Sequence, residues 1–338
     1  MHLMIELDPD LVFCVRNTCL QHKDCSQKDA NVEPSFAENV SAVLTIKSDT
    51  FHSVNLSQIF RFILATKEKL LKGKAAIICS QLDMTAISDT TVLAGSFLIL
   101  SRELKASDLL NQFSPIANFL RAYDDITLAD FWNAIYRAKR LGWLNLEALE
   151  ESWEPPNQDN ALPVLDILEY LHYDNPANGC FHFVVPGKLL LFHQPEYAGE
   201  SSMWRDAGGA RAFSAEYYAD LFMHLGVSLV LRVGDCGAGD AASAASVVAA
   251  FDARGIAVED LPLDGGAAGD GLLRGIDRFI ALLLRAPGAV AVHGGPAGLG
   301  RAAALIAAYL ISKHGFEAEA AVAWLRLAHP PLAAAAAG

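Results

Sequence analysis

The feature that most constrains this chain is an alternation in its second half, where helical stretches trade places with short apolar runs. Period-3.6 patterns over Ala215–Leu225, Ala241–Ala253 and Leu272–Leu284 are interleaved with strand-like runs Leu229–Val233, Ile256–Leu261 and Ala289–Val292. Consecutive parallel strands need a crossover, and helices supply it, so this order predicts an α/β fold with a largely parallel central sheet. In such folds ligands collect beyond the carboxyl ends of the strands.

The first half echoes the second. QIFRFILATKEKLLKGKAAIICS followed by TTVLAGSFLILSREL has the order helix, strand, loop, apolar helix. LLRGIDRFIALLLRAPGAVAVHGG followed by RAAALIAAYLISKHGF has the same order, and Arg61-Phe62-Ile63 is matched by Arg278-Phe279-Ile280. This predicts two copies of one α/β fold. The Pro- and Asn-rich stretch ESWEPPNQDNALP, a helical segment Val164–Tyr173 and the turn NPANG mark the joint between them. The expected division is a first domain over 1–150, a linker with its own helix over 151–177, a second domain over 178–330 and a disordered Ala-rich end over 331–338.

Composition excludes several classes. With 338 residues, 52% of them hydrophobic and 19% charged, the chain can bury two cores. Its net charge of −13 argues against nucleic-acid or anionic-membrane partners, which demand dense Lys/Arg patches. Residues 1–180 carry 15 basic and 24 acidic side chains and residues 181–338 carry 11 and 15, so the acidity is concentrated in the first half. Six cysteines (Cys14, Cys19, Cys25, Cys79, Cys180 and Cys236) form no CxxC pair and no Cys/His zinc spacing, so spacing indicates no disulfide framework, metal or cofactor. The opening MHLMIELDPDL lacks a basic, then long apolar, leader, and no uninterrupted apolar run is long enough to span a membrane. A cytoplasmic or nuclear protein, not a secreted one, is expected.

The chemistry-bearing segment is AVAVHGGPAGLGRAAALIAAYLI: apolar strand, glycine-rich turn, helix. Unpaired N–H groups and the positive dipole end of a helix N-terminus suit an anion, and glycines let the backbone curl around it. Arg301 at the end of the turn could add a bidentate guanidinium contact. GPAGLGRA also follows the nucleotide-binding pattern GxxxxGK[ST] superficially. Arg301 in place of lysine and Ala302 in place of the magnesium-binding hydroxyl argue against that function.

From His293 onward, this segment resembles the phosphate loop and following helices of the cell division cycle fourteen family of dual-specificity phosphatases, whose loop reads HCKAGLGRTG. FHFVVPGKLLLF, SAEYYADLFMHLGVSLVLRV and LPLDGG are similar to other segments of that family. The resemblance implies two tandem dual-specificity-phosphatase-like domains, the first without a catalytic loop. It also implies roles by position: Asp264 as general acid, Arg301 with Gly298, Leu299 and Gly300 as the phosphate cradle, and Gly295 where the nucleophilic cysteine belongs. Glu169 and Asp174, in EYLHYD, match an acidic groove that accepts basic residues beside a phosphorylated one.

The sequence departs from that pattern where it matters. Every residue between His293 and Arg301 is Gly, Pro, Ala or Leu, so no thiol or hydroxyl is available for covalent catalysis. The loop carries one extra residue, Pro296 removes an N–H donor, and Ala302 replaces a hydroxyl residue of the family. Cys236 precedes Arg301 at a distance in sequence and reads as a small apolar filler, and His293 reads as structural. A pseudophosphatase is therefore expected, binding phosphorylated or basic protein segments or serving a cytoskeletal or ciliary assembly. The alternative is an active phosphatase using Asp264 and Arg301 with an unidentified nucleophile.

Overall fold

The computed structural model describes residues 2–16, 42–46, 54–79, 84–120, 125–147, 163–196, 202–207, 210–234, 241–263, 270–294 and 298–329. The polar stretch 151–162 and the Ala-rich end lie outside these residues, as do Asp264, Gly295, Pro296 and Cys236. The chain divides into two compact units, Met1–Tyr136 and Arg137–Gly338.

Unit one holds a four-stranded sheet in the order β1-β2-β4-β3. Strands β1 (His2–Asp8) and β2 (Leu11–Arg16) form an antiparallel hairpin, while β2, β4 (Ala75–Cys79) and β3 (Ala42–Ile46) run parallel. Leu11 to Val15 are all buried, as befits a strand covered on both faces. Helix α1 (Leu56–Leu70) starts where Asn55 and Gln58 exchange side-chain to backbone hydrogen bonds, each 2.9 Å long, a reciprocal cap for two orphan N–H groups.

Helix α2 (Met84–Arg102) is the core of the unit. It is long and apolar enough to cross a bilayer, with mean hydropathy 1.4, yet 83% of that window is buried inside the folded chain. Three of its buried hydroxyls are satisfied within the helix: Thr90, Thr91 and Ser96 donate to the carbonyls of Ala86, Ile87 and Val92 at 2.7, 2.6 and 2.6 Å. Gly95 admits the Trp132 indole, which a Cβ there would strike. Short α3 (Ala106–Gln112) follows, and the division between the units falls within α4 (Leu128–Arg140).

In unit two the order is β10-β9-β11-β6-β5. Strands β5 (Phe181–Val185) and β6 (Leu189–Phe192) are an antiparallel hairpin; β6, β11 (Ala289–Gly294), β9 (Val227–Val233) and β10 (Ala257–Leu261) are parallel. Helices α6 (Ala215–His224) and α7 (Ala241–Asp252) cover one face through Tyr218, Phe222 and Phe251. On the other side, α9 (Leu299–His314) lies on β11 and β9 beside α8 (Asp270–Arg285), and α10 (Ala318–Ala328) lies on β5. A small hairpin, β7 (Trp204–Ala207) with β8 (Ala210–Phe213), stands apart from the main sheet.

The two sheets share a topology. An antiparallel hairpin leads through its second strand to a strand with parallel neighbours on both sides, β4 in one unit and β11 in the other. Each of these is preceded by a helix (α1, α8) and followed by one (α2, α9), matching the internal echo in the sequence. Unit two adds β10 beyond β9.

Residues ahead of the main sheet belong to unit two. Arg137 Nε donates to the His314 carbonyl at 2.7 Å, and the Trp143 ring lies 5.7 Å from both Phe316 and Trp324. Helix α5 (Ile167–Tyr173) is shorter than the expected Val164–Tyr173 because Asp166 caps it, accepting from the Glu169 N–H at 2.9 Å.

Candidate functional site

Because β9, β10 and β11 are parallel, their carboxyl ends share one edge of the sheet. Gly234 ends β9 with φ +85°, a conformation that favours glycine, and its N–H donates to the Leu261 carbonyl of β10 at 3.1 Å. A Cβ on Gly234 would lie 3.5 Å from Arg301 Nη1 and 3.7 Å from Gly298 Cα. The first turn of α9 therefore rests against the end of β9, and its guanidinium reaches the shared edge.

Gly294, the last residue of β11, faces the returning chain so closely that a Cβ would lie 2.6 Å from the Gly298 carbonyl oxygen and 2.8 Å from the Leu299 nitrogen. That close approach requires a glycine at 294. Gly298 is the N-cap of α9 and offers no side-chain cap; its carbonyl accepts from Ala302 N–H at 2.9 Å. The N–H groups of Leu299, Gly300 and Arg301 precede the first intrahelical donor and have no helical acceptor. Gly298 is buried, Leu299 and Arg301 are half-buried and Gly300 is exposed, and no carboxylate among the described residues pairs with Arg301. Three open donors and one guanidinium at a helix N-terminus can hold a tetrahedral oxyanion.

His293 does not join them. It is 2% exposed, its ring edge-on to Phe192 at 4.9 Å, and neither ring nitrogen has a hydrogen-bond partner among the described residues. Burial, reinforced by the Arg232 charge, pushes its pKa from 6.5 to about 3, so it is a neutral core residue. Arg232 is itself engaged, donating from Nε and Nη2 to Asp260 at 2.7 Å each. Pro262 and Leu263 are the last described residues before Asp264, and Leu263 packs on Gly275 of α8, where a Cβ would collide with it.

Glu169 and Asp174 both lie on α5 or its cap, five residues and hence about 140° apart around the helix axis. Burial and the neighbouring Asp166 raise the Glu169 carboxyl to about 7. Asp174 Oδ1 is 3.5 Å from His182 Nε2, on the strand next to α5. Sequence inspection missed that His182 is one of a set, with Cys180, His193 and His329, brought to one face of the β5–β6 hairpin.

No family model matches the chain. Individual relatives do: it is 26% identical over 299 residues to the dual specificity protein phosphatase CDC14C of Symphalangus syndactylus, covering 84% of this chain and 55% of that one. The chain is a homologue of the CDC14 dual-specificity phosphatases. The human CDC14C is likewise 26% identical over 304 residues, covering 84% of this chain and 60% of its own, and the tyrosine-protein phosphatase cdc-14 of Caenorhabditis elegans is 26% identical over 303, covering 83% and 38%. This CDC14 homologue thus spans about half the length of the curated relatives it matches. Solved structures that align with part of it include Tk-PTP in its active form, at 19% identity and TM-score 0.31, covering 45% of this chain and 85% of that one. Human DUSP28 aligns at 24% identity and TM-score 0.25, covering 39% and 84%.

Proposed function

We propose that this CDC14 homologue is a pseudophosphatase: a phosphatase-like scaffold that binds protein segments, phosphorylated or basic, or serves a cytoskeletal assembly, without hydrolysing phosphate esters. The observation that carries this is the composition of the turn. A cysteine phosphatase needs a thiolate held at the helix N-terminus, and the residues from Gly294 to Gly300 offer only hydrogen, methyl, isobutyl and pyrrolidine side chains. Asp264 as a general acid has nothing to act after, and Arg301 keeps an anion-binding role alone. The chain's negative charge of −13 suits basic partners, and we place its work in the cytoplasm or nucleus.

Pro296 and the extra residue oppose phosphate binding, so only weak or absent binding of tungstate is expected. Thermal stabilisation by millimolar tungstate that vanishes in Arg301→Ala would establish a working cradle. The deciding assay is hydrolysis of p-nitrophenyl phosphate and of a phosphoserine-proline peptide by the purified chain, beside Gly295→Cys with the extra loop residue deleted. A silent unaltered chain with a rescued variant is the expected result. Turnover by the unaltered chain, abolished in Asp264→Ala, would overturn the proposal in favour of an active enzyme with another nucleophile.

A further inference from the structure

The end of α10 is tied to the sheet of unit two by a pair of buried histidines. His182, on β5, is buried, and so is His329, which closes α10; their Nδ1 atoms face each other at 3.0 Å. Two neutral rings hold such a contact only when one Nδ1 carries hydrogen and donates to the other. Asp174 Oδ1, 3.5 Å from His182 Nε2, favours hydrogen on that nitrogen. His182 Nδ1 is then the acceptor and His329 Nδ1 the donor, and His329 Nε2 is a bare acceptor with no partner among the described residues. Two further ties hold the same stretch of helix: Trp324 Nε1 donates to the Val184 carbonyl at 2.8 Å, and the Tyr170 hydroxyl of α5 donates to the Leu327 carbonyl at 3.1 Å.

Protons undo the pair in two steps. The first charges His182, whose Nε2 faces the Asp174 carboxylate, and the Nδ1 contact survives with its direction reversed. The second puts hydrogen on both Nδ1 atoms and a positive charge on each ring, setting two donors 3.0 Å apart in a buried site. The remaining groups around the pair offer no second anion. The Tyr170 ring is 4.7 Å from His182, the His193 ring beyond β6 is 6.3 Å from His329, Cys180 Sγ is 3.9 Å from His193 Nε2, and Arg326 lies three residues before His329 on α10. Burial lowers the pKa of both rings; Asp174 opposes this at His182, while the charges of His182 and His193, and none on α9, reinforce it at His329.

We propose that the His182–His329 pair is an acid-operated latch: neutral, it holds the end of α10 on β5, and proton uptake releases that end, uncovering Leu327, Ala328 and the face of β5 beneath while the rest of unit two stays folded. The latched rings bind fewer protons than the same rings in water, where each takes one near pH 6.5. The latch is therefore intact above about pH 6.5 and opens as the pH falls, by about tenfold per pH unit for each proton taken up. This rests on the packing of α10 and is independent of the pseudophosphatase reading.

Hydrogen exchange of the full-length chain, read by mass spectrometry at pH 7, 6 and 5 and corrected for the intrinsic pH dependence of exchange, tests it. Opening at the amides of Leu325–His329 should rise about tenfold per pH unit below 6.5, ahead of any opening of β9. In the double variant His182→Phe with His329→Phe, which keeps two rings and no titrating nitrogen, that rise should be lost. If the double variant fails to fold by circular dichroism, NMR of the histidine-labelled unaltered chain decides. At pH 7 it should show hydrogen on His329 Nδ1 and on His182 Nε2, and imidazolium signals should appear only as the protection of α10 is lost. Amides that stay protected at pH 5, that open only together with β9, or that open as steeply in the double variant would overturn the latch. So would either ring titrating near pH 6.5 with α10 still protected.

Discussion

Replacing His293 with leucine should make the protein more resistant to acid. The native ring refuses a proton until about pH 3, whereas in the unfolded chain it accepts one near 6.5. Between those values the unfolded state binds one proton more than the native state, so stability is intact above about pH 6.5 and is lost as the pH falls. The slope for one proton is about 1.4 kcal/mol per pH unit, so moving from pH 6.5 to 5 costs about 2 kcal/mol from this residue alone. Leucine cannot take up the proton, and it removes two buried ring nitrogens that have no partner among the described residues. The assay is urea unfolding followed by circular dichroism at half-unit steps from pH 7 to 4.5. His293→Leu should match or exceed the parent at pH 7 and lead it by about 2 kcal/mol at pH 5. Other buried histidines tilt both curves equally, so the difference isolates this one. Parallel curves would refute the claim that His293 is neutral and dry.

Further outcomes follow from packing and charge. Gly95→Ala drives a methyl into the Trp132 indole, within 2.5 Å of Cε2, and should cost about 1–3 kcal/mol in urea unfolding, with altered tryptophan emission. Trp324 is fully buried and donates from Nε1 to the Val184 carbonyl at 2.8 Å; Trp324→Ala should cost about 3–5 kcal/mol by the same measurement. Glu169 has a raised pKa, so its ionisation works against folding and its stability contribution fades as pH rises from 4.5 through about 7. Glu169→Gln should therefore raise the melting temperature at pH 8 and leave it unchanged at pH 4.5.

Much of the fold was legible because the second half obeys simple periodicity. The helical pattern Ala241–Ala253 became Ala241–Asp252, Leu272–Leu284 became Asp270–Arg285, and the run Ala289–Val292 became Ala289–Gly294. The echo between the halves was legible too, since both copies keep an apolar strand between two helices. The β7–β8 hairpin was not, because no apolar face announces it. It is held by Arg211, paired with Asp206 at 2.7 Å and set over the Trp204 ring at 5.1 Å, an arrangement with no period. At the site, the strand, the glycine-tight turn and Arg301 could be read from the segment itself, whereas Asp264 and Gly295 owe their roles to resemblance and lie outside the described residues. The Cys180–His329 cluster was illegible in principle: its members come from two ends of unit two, and only the packing of α10 on β5 joins them.

Helices α2 and α9 occupy the same place in their two sheets yet live under different rules. Fifteen consecutive residues of α2, from Ala86 to Leu100, are buried, against five scattered positions of α9. Saturation mutagenesis with a folding readout would therefore treat the copies unequally. The first would tolerate almost nothing larger or more polar anywhere along its length, while the second would accept most changes outside Ala302, Leu305, Ile306, Tyr309 and Leu310. A duplicated architecture can in this way hold one copy rigid in sequence while the other stays free to diverge.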